Sequence, residues 1–166
     1  MDKNVESESS DSAKSGSSIP NFRARGQSYL AEYLLEMGYE VHGIVRRNSV
    51  PENQQSRLEN VKGNISVSYG DLLDQSSIEH LLDKFQPDEI YNLAAQSHVR
   101  ISFDQPIYTA NVTGIGTLNL LEAVKLIKPS IKIYQASSSE MFGNSIDEDG
   151  FQRESTPLNP VSPYGC

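Results

Sequence analysis

Four short runs rich in apolar residues, spaced so that helical stretches fall between them, constrain this chain more than any other feature. The runs are Glu40–Val45 (EVHGIV), Ile65–Tyr69 (ISVSY), Glu89–Ala94 (EIYNLA) and Lys132–Ala136 (KIYQA). ISVSY alternates cleanly, whereas EIYNLA is nearly continuous, as expected of a strand covered on both faces; KIYQA reads as the next buried strand. Ser28–Gly38 carries Leu30, Tyr33, Leu34 and Met37 at helical spacing, with Gly38 placed to end the helix. Ser77–Phe85 puts Ile78, Leu81, Leu82 and Phe85 on one helical face and stops before Pro87, and a long helix fits Tyr108–Ile127. Alternation of this kind predicts an α/β fold with a parallel sheet covered by helices. Beyond Ser137 the chain is turn-rich, with Pro157, Pro160 and Pro163.

The front of the chain breaks the pattern. Residues 1–18 are Ser-rich and charged, too poor in apolar groups to offset their ordering entropy, and predict a disordered tail. Ile19 to Gln27 reads as irregular, because Pro20, two arginines and Gly26 oppose regular structure. A doubly wound sheet normally opens on a strand; here the first periodic element is the helix near Ser28. The domain reading is therefore a tail and irregular lead-in over 1–27 and an α/β domain over 28–166 that is incomplete at its front.

Composition narrows the function classes. At 166 residues the chain suffices for one domain, and its formal net charge of −8 weighs against nucleic acid or an anionic membrane as partner. Cys166 is the single cysteine, so neither an intrachain disulfide nor a cysteine zinc cluster is expected. His42, His80 and His98 are isolated and suggest no metal site. No stretch is apolar for long enough to span a bilayer and the N-terminus lacks the apolar core of a signal peptide, so a cytoplasmic protein is expected.

Four stretches in register carry a resemblance: SYLAEYLLEMGYEVHGIVRR (28–47), YGDLLD (69–74), IYNLAAQSHV (90–99) and YQASSSEMFG with the later SPYG (134–143 and 162–165). Together they resemble the extended short-chain dehydrogenase/reductase family, and within it the GDP-mannose 4,6-dehydratase branch. The resemblance implies an incomplete doubly wound, Rossmann-like sheet and an NADP-dependent lyase. Such an enzyme converts GDP-mannose to GDP-4-keto-6-deoxymannose, on the route to GDP-fucose.

In a dinucleotide fold the end of the second strand faces the adenosine ribose, where an arginine accepts a 2′-phosphate. Arg46 and Arg47 follow Val45 and so favour NADP; read alone, they are equally a pair of solvated surface arginines. The resemblance places Asp71 on the adenine, with Leu72 as an apolar contact beside it. It adds Leu93, Ala94, Ala95, Tyr108 and Val112 as cofactor contacts and Ser97 near the substrate. Alone, Asp71 is a turn or helix cap and the two alanines a tight turn.

For the chemistry, the resemblance implies that Ser138 holds the sugar O4 and that Tyr164, as phenolate, takes its proton while the C4 hydride passes to NADP. Glu140 then removes the acidified C5 proton as water leaves from C6, and the hydride returns from the cofactor to C6. Ser139-Glu140 matches GDP-mannose dehydratases, where glucose-type dehydratases carry Asp-Glu and epimerases lack the glutamate. Without its neighbours Glu140 would read as a loop carboxylate.

Two family features have no counterpart. The opening strand with its TGxxGxxG-like phosphate loop is replaced by SIPNFRARGQ, in which only Gly26 survives as a candidate, and the lysine four residues after the catalytic tyrosine would fall two positions past Cys166. The family's sugar-binding domain also lies downstream. The expectations are hence a first strand and glycine-rich loop missing, and a chain that alone does not turn over GDP-mannose at a family rate. The competing reading is an inactive remnant, or a partial subunit docking on a complete enzyme, since the family assembles as homo-oligomers. A related epimerase or reductase is a third, opposed by Glu140.

Overall fold

The computed structural model describes residues 17–20, 25–47 and 65–166, with side chains from Tyr29 onward within that set. The disordered-tail expectation for residues 1–16 lies outside it.

Among the described residues every strand pairing is parallel. Strands β1 (Ser17–Pro20), β2 (Glu40–Val45), β3 (Ser66–Tyr69), β4 (Glu89–Asn92) and β5 (Lys132–Gln135) form one five-stranded sheet in the order β3-β2-β1-β4-β5. Helix α1 (Arg25–Glu36) links β1 to β2, and α2 (Gln75–Phe85) links β3 to β4. Between β4 and β5 run α3 (Val99–Asp104), α4 (Pro106–Thr109), a π-helical turn (Ala110–Ile115) and α5 (Gly116–Ile127).

The pleat of the central strands sorts the core into two layers, because successive side chains point to opposite faces. Val41 meets Ala31 and Leu34 of α1, joined by Val45 and Tyr91. Ile44 and Ile90 face the other way, into a larger cluster with Ile78, Leu81 and Leu82 of α2 and Leu120, Ala123 and Val124 of α5. Each fully buried Leu or Ile there contributes about 2 kcal/mol. Helices therefore cover both faces, which is the doubly wound arrangement.

Helix ends follow local chemistry. Asp74 caps α2, its carboxylate accepting from the Ser77 amide. Gly38 (φ 83°) ends α1, where the Gly38 and Tyr39 amides donate to the Leu35 and Leu34 carbonyls. Among the described residues no helix is long and apolar enough to cross a membrane.

The front of the chain corrects the sequence reading. A first strand exists: SSIP, expected to be tail and irregular chain, pairs with β2 through Ser17–Glu40 and Ser18–Val41 and with β4 through Ser18–Glu89, Ile19–Ile90 and Pro20–Tyr91. Its neighbours supply the hydrogen-bond partners that local sequence could not advertise, and Pro20, which has no amide to donate, stands at the strand's last position. The following helix begins at Arg25, three residues before Ser28, so residues 25–27 are helical rather than irregular. The connection of residues 21–24 contains no glycine, and its conformation lies outside the described residues.

Three further differences are local. The run 108–127 is not one α-helix, since residues 110–115 widen into π-helix before α5 resumes. Helix α3 was unexpected. The KIYQA strand is largely exposed rather than buried, because it is the sheet's outer strand and Lys132, Tyr134 and Gln135 face solvent.

Candidate functional site

In a parallel sheet all strands exit at the same edge, and ligands bind outside it where the strand order reverses. Here the reversal lies between β1 and β4. The residues that follow the strands at that edge are Arg46-Arg47 after β2, Gly70-Asp71-Leu72 after β3, Leu93–Gln96 after β4 and Ser137–Glu140 after β5. Sequence-predicted positions from four separate stretches thus share one rim.

At one end of the rim both arginines are exposed and each meets a tyrosine. Arg46 Nη1 donates to the Tyr108 hydroxyl at 2.8 Å, and the Arg47 guanidinium carbon lies 5.0 Å from the Tyr69 ring centroid. Asp71 is half-buried; its carboxylate accepts from the Leu73 amide at 3.0 Å, and its own amide donates to Ser77 Oγ at 3.2 Å. The Leu72 side chain is 7 % exposed and packs on Gly116, where an added Cβ would come within 2.9 Å of Leu72 Cβ. The side chain joins the core cluster, and the Leu72 carbonyl accepts from Asn119 Nδ2 at 2.8 Å. Val112, half-buried, sits in the π-helical turn, a feature often found at functional sites.

After β4 the chain is held by a residue the sequence reading passed over. Asn92, 2 % exposed, donates to Gln135 Oε1 at 2.7 Å and accepts from the Ala94 amide at 3.2 Å, tying the exits of β4 and β5 together. Leu93, Ala94 and Ala95 are half-buried here, and Ser97 is exposed. Gln96 folds the loop back, donating to the His98 carbonyl and to Thr109 Oγ1 while accepting from the His98 amide. His98 caps α3. The one sign of Asn92 in the sequence was a polar residue inside an apolar run.

The third part of the rim is a tight pair of turns. Ser137 adopts φ 56°, a left-handed conformation that a non-glycine residue takes at a cost of about 1–2 kcal/mol. Ser138 Oγ accepts from the Glu140 amide at 3.2 Å, capping a 3-10 turn over Ser139–Phe142. Against this turn lies the SPYG segment. An added Cβ on Gly165 would stand 2.6 Å from the Glu140 carbonyl oxygen, so the residue next to Tyr164 touches the backbone of Glu140. Ser162, buried, fixes SPYG by accepting from the Gly165 and Cys166 amides. Ser138, Glu140 and Tyr164, all half-buried, come from two segments that the fold packs into one.

Away from the rim, His42 and Tyr91 have shifted protonation. Burial, opposed by Glu40 and aided by Lys84, holds the His42 imidazole below its usual range; its ring stacks on Phe85 at 4.2 Å. Burial and the hydrogen bond to Glu89 push the Tyr91 phenol up to about 12.

Residues 25–166 match the protein family described as GDP-mannose 4,6 dehydratase. The chain is 50% identical over 159 residues to GDP-mannose 4,6 dehydratase of Homo sapiens, an alignment covering 89% of this chain and 41% of the relative. It is 50% identical over 151 residues to GDP-mannose 4,6 dehydratase 1 of Arabidopsis thaliana, covering 84% and 40%. The chain thus spans about two-fifths of the length of these relatives. Among solved structures, the UDP-glucose 4-epimerase of Thermus thermophilus in complex with NAD superposes with a TM-score of 0.75 at 27% identity, covering 90% of this chain and 46% of that one. The UDP-Glc/GlcNAc 4-epimerase of Campylobacter jejuni, at 19% identity and a TM-score of 0.78 over 90% of this chain and 45% of that one, shares the fold.

Proposed function

We propose, from the premise that this chain belongs to the GDP-mannose 4,6-dehydratase family, that it carries the cofactor rim and the proton-transfer groups of a cytoplasmic, NADP-dependent sugar-nucleotide lyase. Its substrate would be GDP-mannose and its product GDP-4-keto-6-deoxymannose. The observation that carries the reading is the packing of the SPYG turn on the Ser138–Phe142 turn, with Gly165 against the Glu140 carbonyl, at the ligand-binding edge of a parallel sheet.

The residues at the rim fit a dinucleotide at its adenosine end. Arg46 and Arg47 would take a ribose 2′-phosphate, Asp71 the adenine with Leu72 as an apolar contact beside it, and the small Ala94 and Ala95 would let the chain approach closely; Leu93, Tyr108 and Val112 would add further cofactor contacts. When bound, the nicotinamide supplies a hydride acceptor and donor. Ser138 would hold the sugar O4, Tyr164 would accept its proton, and Glu140 would take the C5 proton during elimination, with Ser97 beside the substrate. Placing each base within hydrogen-bond reach is worth roughly 10²–10⁴-fold in rate.

The β1–α1 connection is the weak point. A glycine-rich turn lets backbone amides approach a pyrophosphate, and residues 21–24 contain no glycine. NADP affinity and turnover well below those of a complete relative are therefore expected. The assay is formation of GDP-4-keto-6-deoxymannose with excess NADP, beside a Tyr164→Phe control, with NADP affinity measured by calorimetry. Family-level turnover that vanishes in the control would show the glycine-free connection to be sufficient. No NADP binding even at millimolar concentration would overturn the cofactor reading. That same connection favours a second reading, a non-catalytic partner of a complete enzyme, which co-purification with such an enzyme would reveal.

A further inference from the structure

Consecutive residues of an extended chain point to opposite sides, so Arg46 and Arg47, directly after β2, have no reason of their own to present two ordered guanidiniums to one ligand. Each is instead met by a tyrosine from another element. Tyr69 ends β3 in register with Val45, and the Arg47 guanidinium carbon stands 5.0 Å from its ring centroid. Tyr108 in α4 accepts from Arg46 Nη1 at 2.8 Å. Tyr69 is 54 % exposed and Tyr108 half-buried, so neither ring is there to fill the core.

We propose that Tyr69 and Tyr108 are positioning residues that hold Arg47 and Arg46 as a prebuilt receptor for a phosphomonoester on an adenosine ribose, and so set the preference for a 2′-phosphorylated nucleotide. This deepens the cofactor reading above and rests on it. The two tyrosines act differently. Tyr69 works through its π-face, which orders the guanidinium without occupying its hydrogen-bond donors. Tyr108 accepts one guanidinium N–H and so fixes the Arg46 arm through a directed hydrogen bond. Ordering both arms before the ligand arrives removes an entropy cost from binding, and a planar fork held in place matches a phosphate better than a freely rotating one.

The test is titration of the purified chain, followed by NMR, with adenosine 2′,5′-bisphosphate and with adenosine 5′-monophosphate, which differ only in the 2′-phosphate. The wild-type chain should bind the bisphosphate more tightly by roughly 10–100-fold, the worth of a pair of charge-assisted contacts. Tyr69→Leu should shrink that ratio about 3–5-fold and Tyr69→Phe should restore it. Tyr108→Phe, which deletes one oxygen, should shrink it about 5–10-fold. Equal affinity of the wild-type chain for both nucleotides, or for neither, would overturn the arginine reading itself. A wild-type preference that survives both Tyr69→Leu and Tyr108→Phe would leave that reading standing and overturn the positioning role. Should Tyr69→Leu lose its folded spectrum, Tyr108→Phe decides the matter.

Discussion

Gly143 lies directly against the backbone carbonyl of Asn159, close enough that the place a Cβ would occupy is already filled. The same contact region holds the Asn159 amide, which donates to the Met141 carbonyl at 3.0 Å. The turn carrying Glu140 is thereby clamped to the loop that leads into SPYG.

Gly143 also has φ 55°, so a side chain there meets both a clash and an unfavourable backbone. Gly143→Ala should cost about 2–3 kcal/mol, combining overpacking with left-handed strain. Urea unfolding measures the loss, and hydrogen exchange at the Asn159 amide should quicken. Unchanged stability would mean that the two turns are not clamped.

Ser137 tests strain in the opposite direction. Ser137→Gly removes the penalty of its φ of 56° and should be neutral or mildly stabilising. Ser137→Val, β-branched, should destabilise by about 1–2 kcal/mol. Equal stability of the two variants would show that the conformation is not enforced.

Asn92 is buried with both halves of its amide engaged. Asn92→Leu keeps similar bulk but takes the acceptor from the Ala94 amide and the donor from Gln135 Oε1, which faces solvent and can turn to water. A loss of about 2–3 kcal/mol is expected, with faster exchange at the Ala94 amide than at residues of α2. A loss spread evenly through the sheet would contradict a local tie.

His42 makes stability depend on pH. Its folded pKa is lowered, chiefly by burial, so the folded chain binds fewer protons than the unfolded one. The contribution is complete above the unfolded value of 6.5 and is lost as pH falls below it. Its ring contacts the Ser66 hydroxyl, faces Glu40 at 3.4 Å and stacks on Phe85. Denaturant unfolding at pH 7.5 and pH 5 should therefore differ more for the wild-type chain than for His42→Gln. An identical pH difference in the two would rule the group out.

Much of this protein is written locally. Apolar spacing located α1, α2 and strands β2 to β5 to within a few residues, and Gly38 announced the end of α1, because each pattern reports how one element buries its own face. The motifs around Arg46, Asp71, Ala94 and Glu140 were picked out by their resemblance to a family, each just beyond a strand that apolar spacing had located. What the sequence alone could not decide was anything that depends on a distant partner. SSIP carries no strand signature and becomes the central strand only because β2 and β4 offer hydrogen bonds on both sides. KIYQA looked buried, yet its burial is set by its outer place in the sheet. Leu72 turned inward because Gly116, 44 residues later, leaves room for it. Arg46 found Tyr108 across 62 residues. Periodicity encodes which face of an element is covered; what covers it, and which rim residues meet, was decided by the parallel stacking of strands that sequence keeps far apart.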